Sequence, residues 1–192
     1  MAGTQNTPIR LLLLGAVRQL GRAHGYRIRS ELESWGATDW SIVKPGSIYA
    51  GLKQLAKEDL LRAHGSGASA AGGPPRADYS LTPAGEAAFF ELLRTALRSH
   101  TQPTGVLMAG LGFITALPRA EAIGLLAERA DAFAEWQRGV ADYWTPDASS
   151  AEWGAVGEVM RLWTDASAWN RTWTLDLIKR LRAGELIMAD DR

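Results

Sequence analysis

The fold is constrained most by a double change of hydrophobic period between Leu60 and Pro83. Apolar residues recur in steps of three and four up to Leu60. The segments "LLRAHGS" and "ADYSLT" then alternate with period two, and the helical step resumes at Pro83. Side chains return to the same side every 3.6 residues on a helix and every two on a strand, so helices, two short strands and more helices are expected in that order. Between the strands lies "GSGASAAGGPP", Gly65 to Pro75, whose composition suits neither regular element and reads as a tip. A lone hairpin is marginal in water, so it must lean on the helices around it.

The helices before the hairpin have clear punctuation. Thr7 and Pro8 read as an N-cap followed by proline in the first turn, and Leu12, Leu13, Ala16, Val17 and Leu20 give the apolar stripe. "GRAHG" ends that helix with Gly21 and Gly25 as stops. A second helix is expected from about Tyr26 to Trp35, with Ile28, Leu32 and Trp35 on one side, and "GATDWSIVKPG" connects it to a third. In "KPGSIYAGLKQLAKEDLL", Lys44 to Leu61, the residues Ile48, Leu52 and Leu55 fall at i, i+4 and i+7 and face the core.

That leaves Ser47, Tyr49, Ala50 and Lys53 on the open side, with Lys44 just before the helix. Gly46 and Ser47 keep bulk low at the start, where free N–H groups and the helix dipole favour a phosphate. Ser, Tyr and Lys add donors for phosphates or base edges. Such a face suits a DNA major groove. On an arbitrary helix it would be a plain solvated surface, but the ordered neighbours favour the nucleic-acid reading.

Thr82-Pro83 repeats the helix start of residues 7 and 8 and opens a helix with Ala87, Phe90, Leu93 and Leu97 at helical spacing. "TQPT" at 101–104 is a linker, which divides the chain into residues 1–100 and 101–192. The second part reads as all helical: an apolar segment from Val106 to Leu117, a helix from Pro118 to about Tyr143, a break at "TPDASS", and a long helix from about Ala151 to Arg182. Unbroken, that last helix would be about 48 Å long.

Six of the eight tryptophans lie after residue 130. On the last helix Trp153, Val156, Met160 and Trp163 form one stripe; Leu162, Ala166, Trp169, Trp173 and Leu177 form an adjoining one. Two apolar stripes need more cover than one neighbouring helix gives, and a second copy of the chain is the simplest cover. Trp169 and Trp173, at i and i+4, are the best pair for the wall of a pocket for a flat, apolar effector. The competing reading makes these indoles core and interface.

Composition excludes several classes. With no cysteine there is no disulfide, thiolate nucleophile or cysteine-containing zinc site, which fits a reducing cytoplasm. His24, His64 and His100 are far apart, and no nucleophile elbow, phosphate loop or metal-spaced cluster is present, so no enzyme, cofactor or metal is expected. No apolar run reaches the roughly 20 residues of a membrane span. Leu11 to Val17 makes a poor leader core because Arg18 follows at once. The net charge of zero hides a difference: residues 1–100 hold 12 basic and 8 acidic residues, leaving 9 and 13 in residues 101–192. A polyanion is drawn to the first part.

Taken together, "LLLLGAV…HGYRIRSELES", "VKPGSIYAGLKQLAKEDLL" and "RADYSLTPAGEAAF" closely resemble the N-terminal domain of the PadR family of transcriptional regulators. The matching pieces cover roughly residues 9–95: His-Gly-Tyr-x-Ile, Pro-Gly-Ser-Ile-Tyr and Tyr-x-Leu-Thr-x-x-Gly. The resemblance implies a mainly α fold with a small β-hairpin, as an N-terminal winged helix-turn-helix followed by a C-terminal helical dimerisation domain. It further implies a homodimeric repressor in the cytoplasm, bound to a palindromic double-stranded DNA operator and released by a small aromatic effector. The DNA-binding residues would be Lys44, Gly46, Ser47, Tyr49, Lys53 and Arg76. The wing departs from the family pattern, because only Arg76 precedes Ala77, Asp78 and Tyr79 where relatives carry several basic residues. A shallow salt dependence is therefore expected, and a winged-helix adaptor that holds a protein partner is the alternative. In His24-Gly25-Tyr26 the glycine supports a tight helix start and Tyr26 is expected to pack against the third helix; a phosphate contact is the other reading.

Overall fold

The computed structural model describes residues 7–37, 45–65, 77–145 and 150–192. The connection at 38–44, which includes Lys44, most of the wing tip, and Arg76 just after it lie outside the described residues. So does part of the "TPDASS" break. The chain divides into two compact units, residues 1–96 with 103–113, and residues 97–102 with 114–192. No helix among the described residues is long and apolar enough to cross a membrane.

The first unit is built around α1 (Thr7–Leu20). Leu11 to Leu14, Ala16 and Val17 are all buried, so this helix is apolar on every side rather than along one stripe. Two glycines let its neighbours come close. The Phe113 ring occupies the place where a Gly15 side chain would start, 2.2 Å from an added Cβ, and Leu13 lies 2.5 Å from a Cβ added to Gly51. Helices α2 (Gly25–Ser34) and α3 (Pro45–Lys57) both pack on α1, as does α5 (Thr104–Gly112).

The sheet has three strands rather than a hairpin's two. β1 (Arg22–His24), β2 (Leu61–His64) and β3 (Asp78–Leu81) are antiparallel in the order β1-β3-β2. Ala23 pairs with Tyr79 on the core side, while Arg22 and Arg62 both pair with Ser80 on the other side. β1 hides in "GRAHG" because three residues are too few to display an alternation.

α3 ends in a Schellman turn that aims the chain into the wing. Leu60 N–H donates to Leu55 O at 3.0 Å and Asp59 N–H to Ala56 O at 3.2 Å, with Asp59 left-handed at φ 57°. Thr82 then caps α4 (Pro83–Arg98): its Oγ1 accepts from Gly85 N–H at 3.0 Å and donates to Asp59 O at 2.6 Å. The cap and proline start behave as the sequence implies. The buried stripe is rotated, however: Phe89, Leu93, Ala96 and Leu97 are buried, whereas Ala87 is exposed. Phe113 and Phe90 pack edge to face on Phe89 and draw it inward.

The second unit is an antiparallel helix pair, α6 (Arg119–Ala141) and α7 (Ser150–Arg182). At one end Val140, Trp144 and Met160 form a small core with Trp136 and Trp153. At the other, Arg119 donates to the carbonyls of Leu181 and Leu186 and pairs with Asp191. α7 is not the straight rod that its length suggests. Gly154 is non-helical, with φ 49° and ψ −135°, so continuous helix runs only from residue 155, about 42 Å. The two expected stripes also divide: Met160 and Leu177 are buried, whereas Val156, Leu162, Trp163 and Trp169 are exposed.

One ion pair ties the central helix to the end of α3. Arg10 Nη2 lies 2.7 Å from Glu58 Oε2, with each side chain about one-third exposed. The hydrogen bond from Arg10, and then that from Gln54, hold the Glu58 carboxyl below its ordinary value of 4.5. A carboxylate depressed on folding contributes stability above its unfolded pKa and loses it as pH falls through the folded one. Arg10→Gln is expected to cost under ~1 kcal/mol at neutral pH. Denaturant titrations should show that deficit shrinking once pH drops below 4.5.

Candidate nucleic-acid interface

The third helix presents two unlike sides. Ile48, Leu52 and Leu55 are fully buried. Burying each contributes about 1.5–3 kcal/mol, so a rotation that exposed them would cost more than any surface contact could return. The opposite side is thereby fixed outward. Gly46, Tyr49, Ala50 and Lys53 are exposed, Tyr49 at 40%, and Ser47 is partly so. A Cβ at Gly46 would meet nothing within 4 Å among the described residues, so no packing they make requires a glycine there. Of the six proposed DNA-contact residues, the structure brings these four, Gly46, Ser47, Tyr49 and Lys53, to one side of α3. Lys44 and Arg76 lie outside the described residues.

Tyr49 is held from two directions. A Cβ on Gly25 would lie 2.9 Å from its Cε1, so the ring rests against bare backbone at the start of α2. Beside it is Arg29, whose Nε donates to Glu33 at 2.6 Å. Glu33 first, and the Tyr49 hydroxyl to a smaller degree, raise the already high pKa of that guanidinium. Arg29 was not legible as part of this surface, since its step on α2 matches an ordinary i, i+4 pair with Glu33.

The start of α2 is capped by His24, whose Nδ1 accepts from Arg27 N–H at 3.1 Å. Tyr26 does not pack against α3. It is 69% exposed, because Gly25 already fills that contact and turns the next side chain away. Tyr26 and Arg27 thus project from the same helix start.

The described part of the wing is weakly basic. Arg22 is spent on Asp78 at 3.1 Å, and His64 Nε2 lies 2.8 Å from Ser80 Oγ. Arg62 is exposed. Among the described residues no group of histidine and acidic side chains could hold a metal ion.

Gly25→Ala should push the Tyr49 ring off its seat at a cost of about 1 kcal/mol, the low end for overpacking because the ring can move. The shift should appear as altered Tyr49 ring resonances with the fold retained.

No curated protein matches the chain. Solved structures similar to it include Bacillus subtilis PadR in complex with operator DNA, at 19% identity over 90% of this chain and 98% of that one, with a TM-score of 0.40. The same protein in complex with p-coumaric acid gives 20% identity over 94% and 99%, with a TM-score of 0.39. The protein smu.1604c from Streptococcus mutans UA159 gives 18% identity over 91% and 96%, with a TM-score of 0.40. The model of the transcriptional regulator PadR-like family matches residues 13–91, which span α1 to α4 with the three strands between them. The winged helix-turn-helix of this chain, residues 13–91, belongs to the transcriptional regulator PadR-like family.

Proposed function

We propose that the chain is a sequence-specific DNA-binding transcriptional regulator of the cytoplasm, acting as a homodimeric repressor that a small apolar or aromatic effector releases. The single observation that carries the DNA reading is the outward side of α3, where Tyr49 and Lys53 stand exposed behind a helix start free of bulk. Lys44, Gly46, Ser47, Tyr49, Lys53 and Arg76 are the proposed DNA contacts, with Tyr49 reading base edges and the lysines neutralising phosphates.

Dimerisation is supported by the outer side of α7. Val159, Leu162, Ala166, Trp169 and Trp173 follow in steps of three and four, the spacing of a two-helix seam. Leu162 is 67% exposed and Trp169 64%, and the Trp169 and Trp173 rings stack at 6.5 Å between centroids. An apolar seam of this kind on a single chain is the mark of an interaction surface. A second copy covering it would make a two-fold dimer and carry two α3 helices to half-sites about 34–36 Å apart. Trp169 and Trp173 then belong to that interface, and an effector that inserted between them would act on dimer geometry.

Gel-shift titration against the DNA upstream of the chain's own coding region tests the reading. A competitor-resistant complex is expected, and Lys53→Ala should weaken it while reducing the log–log salt slope by about 0.9. Tyr49→Ala should lower discrimination against competitor DNA by about 1–3 kcal/mol. A complex indifferent to both changes overturns the assigned side. Absence of any complex at low salt favours the adaptor, the role that the sparsely charged wing would suit.

Light scattering tests the dimer. The intact chain should weigh twice its own mass, and Leu162→Asp should return it to 20.8 kDa with its helical content intact. A wild-type monomer would overturn the seam.

A further inference from the structure

The Tyr49 ring lies against α2 with its hydroxyl half. A Cβ on Gly25 would be 2.9 Å from Cε1 and 3.1 Å from Cδ1, so the ring crosses α2 at the level of Gly25. Arg29 follows Gly25 by four residues, which places it on the same side of α2, one turn on. Its guanidinium is tied down there, because Nε donates to Glu33 Oε1 at 2.6 Å and both side chains are only about one-third exposed. That bond leaves further N–H donors on the same group. The Tyr49 hydroxyl hydrogen-bonds this guanidinium and adds, after Glu33, to the rise in its pKa.

The direction of the bond is fixed by chemistry. A guanidinium has no acceptor, so Arg29 donates and the phenolic oxygen accepts. The hydroxyl hydrogen then turns away from the cation, toward the 40% of Tyr49 that solvent reaches. A tyrosine without such a neighbour can donate or accept and would suit an amino group as well as a carbonyl. With its oxygen engaged by a cation, this one presents a hydrogen.

We infer that Arg29 is a positioning residue that makes Tyr49 a hydrogen-bond donor, so that Tyr49 reads an acceptor on a base edge, guanine above all. Guanine shows two acceptors, N7 and O6, in the major groove and takes the hydrogen over a wide arc. Cytosine shows an amino group there, which a committed donor meets hydrogen to hydrogen. Adenine and thymine each pair one acceptor with an amino or methyl group. Arg29 need not touch DNA for this, and Glu33 offsets its charge. The inference rests on the DNA-binding reading of α3 and adds the polarity of one contact to it.

Selection of duplexes from a random-sequence pool, then gel-shift titration of the selected DNA, tests it on the full chain. Tyr49→Phe removes the hydroxyl alone; it should abolish a guanine preference at one position and weaken binding about threefold to tenfold. Arg29→Gln should relax that same position, keep the log–log salt slope, and cost nothing more when added to Tyr49→Phe. Guanine analogues lacking N7 or O6 should, in at least one case, weaken the wild type and leave Tyr49→Phe as it was. Preferences relaxed at different positions, losses that add in the double variant, or a slope lowered by about 0.9 in Arg29→Gln overturn the positioning role. Both analogues bound as tightly as guanine overturn the donor assignment. Thermal unfolding shows that Arg29→Gln is folded. Ring resonances of Tyr49 in the DNA-free chain separate the two readings. If Arg29→Gln moves them although the wild type binds no DNA, the regulator fails and Arg29 still holds Tyr49; if they stay put, the positioning role fails whatever the DNA result.

Discussion

Everything the first unit presents outward depends on the seat of α3 against α1. Gly51 brings the two backbones close enough for Leu13 to lie where a side chain would start, and Ile48, Leu52 and Leu55 fill the remaining contact. The seat fixes rotation as well as position, since three fully buried aliphatic side chains leave one face for solvent. The Schellman turn at Asp59 and the Thr82 cap then attach wing and α4 to the end of the same helix. A disturbance at Gly51 would therefore move the outward side of α3 and the wing together.

Much of this was readable from residue spacing. The α3 stripe, the helix start at Thr7, the Thr82 cap before α4 and the two wing strands followed from periodicity and cap chemistry, which act within a few residues. Three features were not readable, each because it depends on distant partners. β1 exists only by pairing with β3, and its three residues carry no pattern of their own. The rotated stripe of α4 answers to Phe113, which lies well beyond that helix in the chain. Tyr26 is displaced outward by a contact between Gly25 and Tyr49 that no local rule contains. The role of Arg29 beside Tyr49 belongs to the same class, an adjacency made by two helices crossing.

The second unit shows the opposite difficulty. Its residue pattern was legible, but the meaning of the stripes was not, because apolar spacing alone does not say which stripe faces inward. In α7 the tryptophan-bearing stripe faces out and a Thr-Ser-Arg-Thr series faces in. Ordinary core economics would reverse that arrangement.

The break at Gly154 carries a consequence of its own. Its torsion pair lies in the mirror image of the extended region, which only an achiral residue visits at little cost. That one residue lets Trp153 fold back onto Val140, Trp144 and Met160 although the coil it precedes runs on to Arg182. Saturation of this codon should consequently tolerate almost nothing else, so a surface position where an added Cβ meets nothing within 4 Å among the described residues would behave in a mutational scan as intolerantly as the interior.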